Sequence, residues 1–193
     1  MNARDVHKEI FRKGSKTYFT SSIFFPKKIR NRVFVLYAFV RTADDFVDDV
    51  PQDAAGFYRF REKYLAARSG NPADDPVIDG FVDLSKEVGF KPEWTDAFLR
   101  SMEWDLKKNQ YNTSDETLEY IYGSAEVIGL FMAAIMELPP ESHYFAGMLG
   151  RSMQYINFIR DIQEDLDLGR RYLPLENTGL EDLQREHSGN RET

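Results

Sequence analysis

The stretch from Gln154 to Pro174, QYINFIRDIQEDLDLGRRYLP, sets the strongest constraint on what this chain can fold into. Asn157, Asp161 and Asp165 recur at every fourth residue among apolar neighbours. On a helix they form one stripe, each member about 40° further round than the last. Two carboxylates and an amide in one line repel one another unless a cation or a cationic partner lies opposite. Oxygen donors of this kind suit a hard divalent ion, and Mg2+ takes one or two carboxylates and completes its shell with water and phosphate oxygens. A diphosphate is the natural companion of such a stripe. Arg160, Arg170 and Arg171 stand close by in sequence as counter-charges for it.

A second acidic segment lies upstream. Arg41 to Asp49 reads RTADDFVDD, in which Asp44 pairs with Asp48 and Asp45 with Asp49 at i,i+4 spacing, and Arg41 precedes Asp44 by one turn. The approach to it is apolar at helical spacing through Val33, Leu36, Tyr37 and Val40. Either segment alone reads as a solvated helix face. Together, each with Arg in reach and each beside an apolar face, they favour a cleft with carboxylates on both walls, suited to ionising a diphosphate.

The rest of the chain keeps a helical period. Residues 3 to 13 form a polar helix stopped by Gly14, followed by an aromatic segment closed by Pro26. The first acidic helix spans Lys27 to Asp49, and a helix over 53 to 68 turns Phe57, Phe60, Tyr64 and Leu65 inward. Asp74 and Asp75 fall in a loop and serve as turn and cap residues. Helices over 76 to 88 and 92 to 109 follow, the second with Trp94, Phe98, Met102 and Leu106 as a core stripe. Ser114, Glu116 and Thr117 open the next helix as a loose cap, and Leu118 to Leu138 is apolar on most sides, which makes it central. Its small residues Ala125, Gly129 and Ala133 admit two readings, close helix packing or a groove for a chain-like ligand. One long helix from Glu141 carries the second acidic segment to Gly169, and a further helix barely begins after Pro174. No strand pattern or internal repeat occurs in this order, so the expected fold is an all-α bundle in one domain spanning residues 1–193.

Composition removes several classes of function. The formal charge of −7, with no basic stripe, disfavours nucleic acid as a partner. Absence of cysteine excludes disulfides, thiolate metal sites and thiol nucleophiles. His7, His143 and His187 have no metal-ligand spacing, and neither a nucleophile elbow nor a Gly-rich phosphate loop is present. Fifteen Phe and ten Tyr are enough both to fill a core and to line an apolar pocket. The N-terminus lacks the apolar centre of a signal peptide, and the longest apolar run, Val127 to Met136, falls short of the roughly 20 residues that span a bilayer. These features lead to the expectation of a cytoplasmic protein, with peripheral contact to a membrane surface and self-association both left open.

At these residues the sequence resembles the squalene and phytoene synthase family, the head-to-head prenyl transferases. SKTYFTSSIFFPKKIRNRVFVLYAFVRTADDFVDD is similar to the family's N-terminal block, and QYINFIRDIQEDLDLGRRYLP to the block running from Gln-x-x-Asn to Gly-Arg-x-Tyr-Leu-Pro. The resemblance covers residues 14 to about 175. It implies an isoprenoid-synthase bundle that condenses two prenyl diphosphates with Mg2+, or Mn2+ in its place, through a cyclopropyl intermediate. Asp44 and Asp48 match the first metal-binding motif, and Asn157, Asp161 and Asp165 the second. Arg41, Arg160 and Arg170 match basic positions that engage phosphate, Thr17 stands at a position that is often Ser, and Tyr172 matches the tyrosine after the second motif.

The chain departs from the family pattern in places. Val40 replaces a common Cys, and Glu126 occupies a usual Gly position, where a carboxylate would narrow or polarise the tail cavity. Tyr120 and Tyr122 both fit the family's site tyrosine, and register leaves both open. Family members continue through further helices that close the bundle, so the resemblance implies a C-terminally incomplete domain. Phytoene synthase chemistry is the leading expectation. Squalene or dehydrosqualene synthase chemistry comes next, with NADPH needed only for squalene. A truncated, non-catalytic chain that binds diphosphate is the third.

Overall fold

Asn2 opens the first helix by accepting a hydrogen bond from the Asp5 N–H at 2.9 Å, and capping of this local kind sets many of the boundaries that follow. The computed structural model describes residues 2–174. Helix α1 (Ala3–Gly14) is followed by the short α2 (Lys16–Ser21) and a 3-10 turn at Ser22–Phe24, where the sequence suggested only an aromatic segment. Pro26 then admits α3 (Lys27–Asp48). Asp53 caps α4 (Ala54–Arg68). Asp75 caps α5 (Pro76–Val88) by accepting from Val77 and Ile78, and Asp74 takes the left-handed turn before it at φ 54°. Gly89 ends α5 at φ 73°, the backbone region glycine enters without a Cβ clash. Pro92 stands at the start of α6 (Pro92–Lys107).

Three expectations about the second half need correction. Thr113, not Ser114, caps α7 (Ser114–Ile121), its hydroxyl accepting from the Glu116 N–H at 3.2 Å. The central helix is not one regular α-helix: a π turn at Tyr122–Glu126 separates α7 from α8 (Val127–Ile135). The long helix after Glu141 is likewise two, α9 (Ser142–Arg160) and α10 (Ile162–Asp167), parted at Asp161 with φ −99° and ψ 10°. The helical start expected after Pro174 lies outside the described residues.

Helix α3 lies at the centre, packing on α1, α4, α5, α6 and α8. The main core gathers on its Phe39, whose ring stacks on Phe81 at 3.8 Å and meets Phe60 at 5.1 Å and Tyr64 at 5.3 Å. At one end of the core Arg32 is buried yet fully engaged, donating to Glu87, Glu137 and the Ile135 carbonyl, which offsets the loss of hydration. A smaller aromatic cluster of Tyr111, Tyr120, Phe158 and Tyr172 forms a second centre.

Of the two readings of the small-residue stripe, close packing is the one the structure gives. A Cβ on Gly129 would stand 2.2 Å from the Ala146 carbonyl oxygen, and one on Gly150 of α9 2.4 Å from that of Ala125. The helical run Ser114–Ile135 is long and apolar enough to cross a membrane by length and composition, which the shorter Val127–Met136 run did not suggest. Half of its most apolar window is buried inside the bundle. The opposite face of α9 is bare: Phe145, Leu149, Ile156 and Ile159 are each 63–70% exposed.

Candidate active site

Helical periodicity sorts α3 into two faces. Phe39, Ala43 and Val47 are fully buried in the core, whereas Val40, Asp44 and Asp48 line a cavity of about 250 Å³. Across it stand Gln154, Asn157 and Phe158 of α9, Asp161 at the helix break, and Asp165 of α10. The break does not scatter these donors. The Asp161 N–H still donates to the Asn157 carbonyl and the Asp165 N–H to that of Asp161, both at 2.9 Å, so the four-residue register survives. Helix α6 adds Phe98, Met102 and Asp105, and Tyr120, Ser124, Arg170 and Tyr172 complete the lining.

The charges are only partly compensated. Burial, and then the neighbouring Asp48, push the Asp44 carboxyl up to about 7 despite Arg41 nearby. Burial and Asp161 together raise Asp165 to about 6. Asp161 itself is held below the usual range by Arg160, which donates to both its oxygens at 2.6 and 2.5 Å. Arg41 divides between Asp44 at 3.4 Å and Asp45 at 2.5 Å. Arg170 spans the two acidic segments, donating to Asp48 at 2.9 Å and to the Val47 carbonyl at 3.0 Å. Arg170 and Asp48 also line a neighbouring cleft of about 420 Å³, so the pair stands between the two.

Sequence reasoning missed the inner wall. Asp105 is buried, and its two oxygens accept from the Tyr120 hydroxyl at 2.9 Å and the Tyr172 hydroxyl at 3.0 Å. Burial raises Asp105 to about 7, while the two hydroxyls pull the other way. The stripe read as core on α6 is core at Trp94, but Phe98 and Met102 also face the cavity. A carboxylate one turn beyond Met102, on an apolar face, was the available signal. Of the two tyrosines left open, Tyr120 lines the cavity and Tyr122 is 39% exposed. Tyr172 is fixed by its stack on Phe158 (4.7 Å, 4°), by the Thr117 hydroxyl donating to its carbonyl at 2.8 Å, and by a bridge from Tyr111 N–H to the Arg171 carbonyl at 3.0 Å.

Asp44, Asp48, Asn157, Asp161, Asp165, Arg170 and Tyr172 thus meet at one cavity, with Arg41 beside it on α3. Arg160 and Thr17 are not among its lining residues: Arg160 is two-thirds exposed and paired with Asp161, and Thr17 is exposed on α2. Glu126 does not narrow the cavity. It is buried and accepts from Arg151 Nε at 2.6 Å. Among the described residues no three His, Asp or Glu side chains converge closely enough to hold an ion unaided. The donor set still fits Mg2+, which needs only one or two carboxylates and takes its other oxygens from water and phosphate. The raised Asp44 and Asp165 are donors that a divalent charge would ionise.

Comparison with known proteins identifies the family and the fold. A family model described as Squalene/phytoene synthase matches residues 11–192. The phytoene synthase of Rhodobacter capsulatus is 32% identical over 174 residues, which cover 88% of this chain and 51% of that protein. A dehydrosqualene synthase solved in complex with ligand superposes with a TM-score of 0.79 at 29% identity, covering 90% of this chain and 62% of the other. The squalene synthase HpnC from Alicyclobacillus acidocaldarius has the same fold, with a TM-score of 0.80 at 24% identity, covering 89% of this chain and 66% of that one. The chain therefore spans between half and two-thirds of the length of these relatives.

Proposed function

The chain belongs to the squalene/phytoene synthase family of prenyltransferases, and from that premise we propose that it carries the diphosphate-ionising site of a head-to-head condensation of the phytoene synthase type. The observation that carries this reading is the meeting of Asp44 and Asp48 with Asn157, Asp161 and Asp165 across one cavity, with Arg170 between the two sets. Asp44, Asp48, Asn157, Asp161 and Asp165 would hold Mg2+, on which the family typically depends. Bound there, Mg2+ supplies charge neutralisation to a departing diphosphate. Arg41 and Arg170 bind and orient phosphate oxygens, exchanging their present carboxylate partners for the substrate. Phe98, Met102, Phe158 and Tyr172 keep water from an allylic cation, and the aromatic faces among them stabilise its charge. The double bond of a second prenyl diphosphate captures that cation, and the resulting tertiary cation closes to a cyclopropyl diphosphate by losing a proton to the released diphosphate. Departure of the second diphosphate, rearrangement and loss of one more proton then give the neutral hydrocarbon.

The test is incubation of the chain with Mg2+ and farnesyl or geranylgeranyl diphosphate, with and without NADPH, followed by mass analysis of the organic extract. The expected product is a C40 hydrocarbon from the longer substrate. A C30 product from farnesyl diphosphate would move the assignment to squalene or dehydrosqualene synthase, the chemistry named for the two structural relatives. Another reading, a chain that binds diphosphate without turnover, is favoured by the bare apolar face of α9, the helix that forms one wall of the site. Diphosphate binding with no product in any arm would select it.

A further inference from the structure

The corner of the molecule formed by α1, the 3-10 turn and the start of α3 has a charge opposite to that of the whole. From Arg4 to Arg30 the chain carries eight Lys and Arg against two carboxylates, Asp5 and Glu9, in a protein of formal charge −7. Lys28 is paired with Glu137, and Arg12 and Lys13 with Glu9. Arg4, Lys8, Lys16, Lys27 and Arg30 make no ion pair among the described residues.

The most exposed large apolar side chain in the described structure sits in this basic corner. Phe24 is 86% exposed, with Ile23 at 55% and Tyr18 at 57% beside it in sequence. The turn that displays them is well anchored. Phe19 packs inward on Phe11 and Phe34, the Ser22 hydroxyl donates to the Phe19 carbonyl at 2.6 Å, and the Phe25 N–H donates to the Ser22 carbonyl at 3.1 Å. A groove of about 220 Å³ runs alongside, lined by Phe19, Ile23 and Phe34 together with Arg4, Lys8 and Arg30. Its one hydroxyl, that of Ser22, is already committed to backbone.

We propose that this corner docks the protein on an anionic bilayer, Ile23 and Phe24 entering the acyl boundary while Arg4, Lys8, Lys27 and Arg30 engage lipid phosphates. An apolar tip beside cations that make no ion pair is the pattern that inserts into a negatively charged interface, where each cation strengthens binding roughly fivefold. An acidic protein is a poorer fit, because it would meet the cations and leave the exposed Ile23 and Phe24 without an apolar environment. This surface does not share lining residues with the carboxylate cavity, and its role is independent of the catalytic reading.

The test is sedimentation of the full chain with vesicles of phosphatidylcholine alone and of phosphatidylcholine mixed with phosphatidylglycerol, at low and high salt. The parent chain is expected to bind the mixed vesicles and to release at high salt. The triple change Arg4→Gln, Lys8→Gln and Arg30→Gln should weaken binding by on the order of 100-fold, and Ile23→Ser with Phe24→Ser by roughly tenfold or more. Both sets alter exposed or half-exposed residues, and circular dichroism would verify that the helices persist. The change Leu149→Ser with Ile156→Ser on α9 should leave binding unaltered. Equal binding to both vesicle types, insensitivity to both corner variants, or loss through the α9 variant alone would overturn the proposal. So would failure of the parent chain to bind either vesicle, which would turn attention to an acidic protein as the partner of the basic corner.

Discussion

Asp105 is the residue at which burial and charge conflict most openly. Its carboxyl is held up at about 7 by burial, so the folded protein keeps a proton that the unfolded chain releases near pH 4. Between those values stability falls as pH rises, because the unfolded state alone gives up the proton; above about 7 the penalty is constant. Asn does not titrate, and its amide can still meet both tyrosine hydroxyls. The Asp105→Asn variant should therefore gain on the parent as pH rises from about 5 to 7, by at most about 1.4 kcal/mol per pH unit, and hold a constant lead beyond. Urea midpoints across that range would test this, and parallel curves for the two proteins would sink it. Asp48 calls for a different outcome. It is about half exposed and holds Arg170, so Asp48→Asn should keep its helical circular dichroism while losing on the order of 100-fold or more in turnover under the proposed function. Near-normal turnover with unchanged Mg2+ dependence would remove Asp48 from the metal set.

Gly123 of the π turn and Gly129 of α8 set the spacing between helices. A Cβ on Gly123 would lie 2.2 Å from the Ser101 hydroxyl and 2.3 Å from the Ala97 carbonyl oxygen, and one on Gly129 2.2 Å from the Ala146 carbonyl oxygen. Backbone carbonyls cannot step aside as a side chain can. Gly123→Ala and Gly129→Ala should each cost about 2 kcal/mol or more, against the small gain that Ala brings to a regular helix. On α9 the nearest atom to a Cβ at Gly147 is Glu126 Oε2 at 3.6 Å, an ordinary contact, so Gly147→Ala should be neutral or slightly stabilising. Thermal unfolding of the three variants would check the order, and a destabilised Gly147→Ala would show that the contact between the π turn and α9 is misread. The same elements show what sequence could and could not disclose. Carboxylates at fourfold spacing announced the two acidic walls, because helical periodicity is local. The π turn and the break at Asp161 were hidden, since both sit inside runs whose apolar period continues across them. Asp105 was hidden for another reason: only tertiary packing brings Tyr120 and Tyr172 to its oxygens. Arg160 looked equivalent to Arg170 by its place in the motif, yet the fold turns one toward solvent and the other into the cleft.

On the scale of the molecule, the bare face of α9 is the feature least typical of a water-soluble surface. Phe145, Leu149, Ile156 and Ile159 form a contiguous helical stripe, and stripes of this size attract apolar partners. Leu149→Ser with Ile156→Ser should lower binding of an apolar fluorescent dye several-fold without loss of helicity; unchanged dye binding would mean that the stripe is covered in solution. The bundle as a class was legible from its uninterrupted helical period, but the exposure of this face was not, because apolar spacing marks which side of a helix is hydrophobic and not what covers it. Arg170 and Asp48 close a contact across 122 positions of chain. Joining points that far apart costs about 4 kcal/mol in loop entropy if the intervening chain is still loose, so the acidic walls are expected to meet late in folding, after α4 to α9 have packed. Carboxylates that would repel one another are thereby kept apart while the core condenses. Whatever neutralises them acts on that final docking step, and Mg2+ bound together with a diphosphate would then slow the opening of the whole molecule rather than only filling a hole in it.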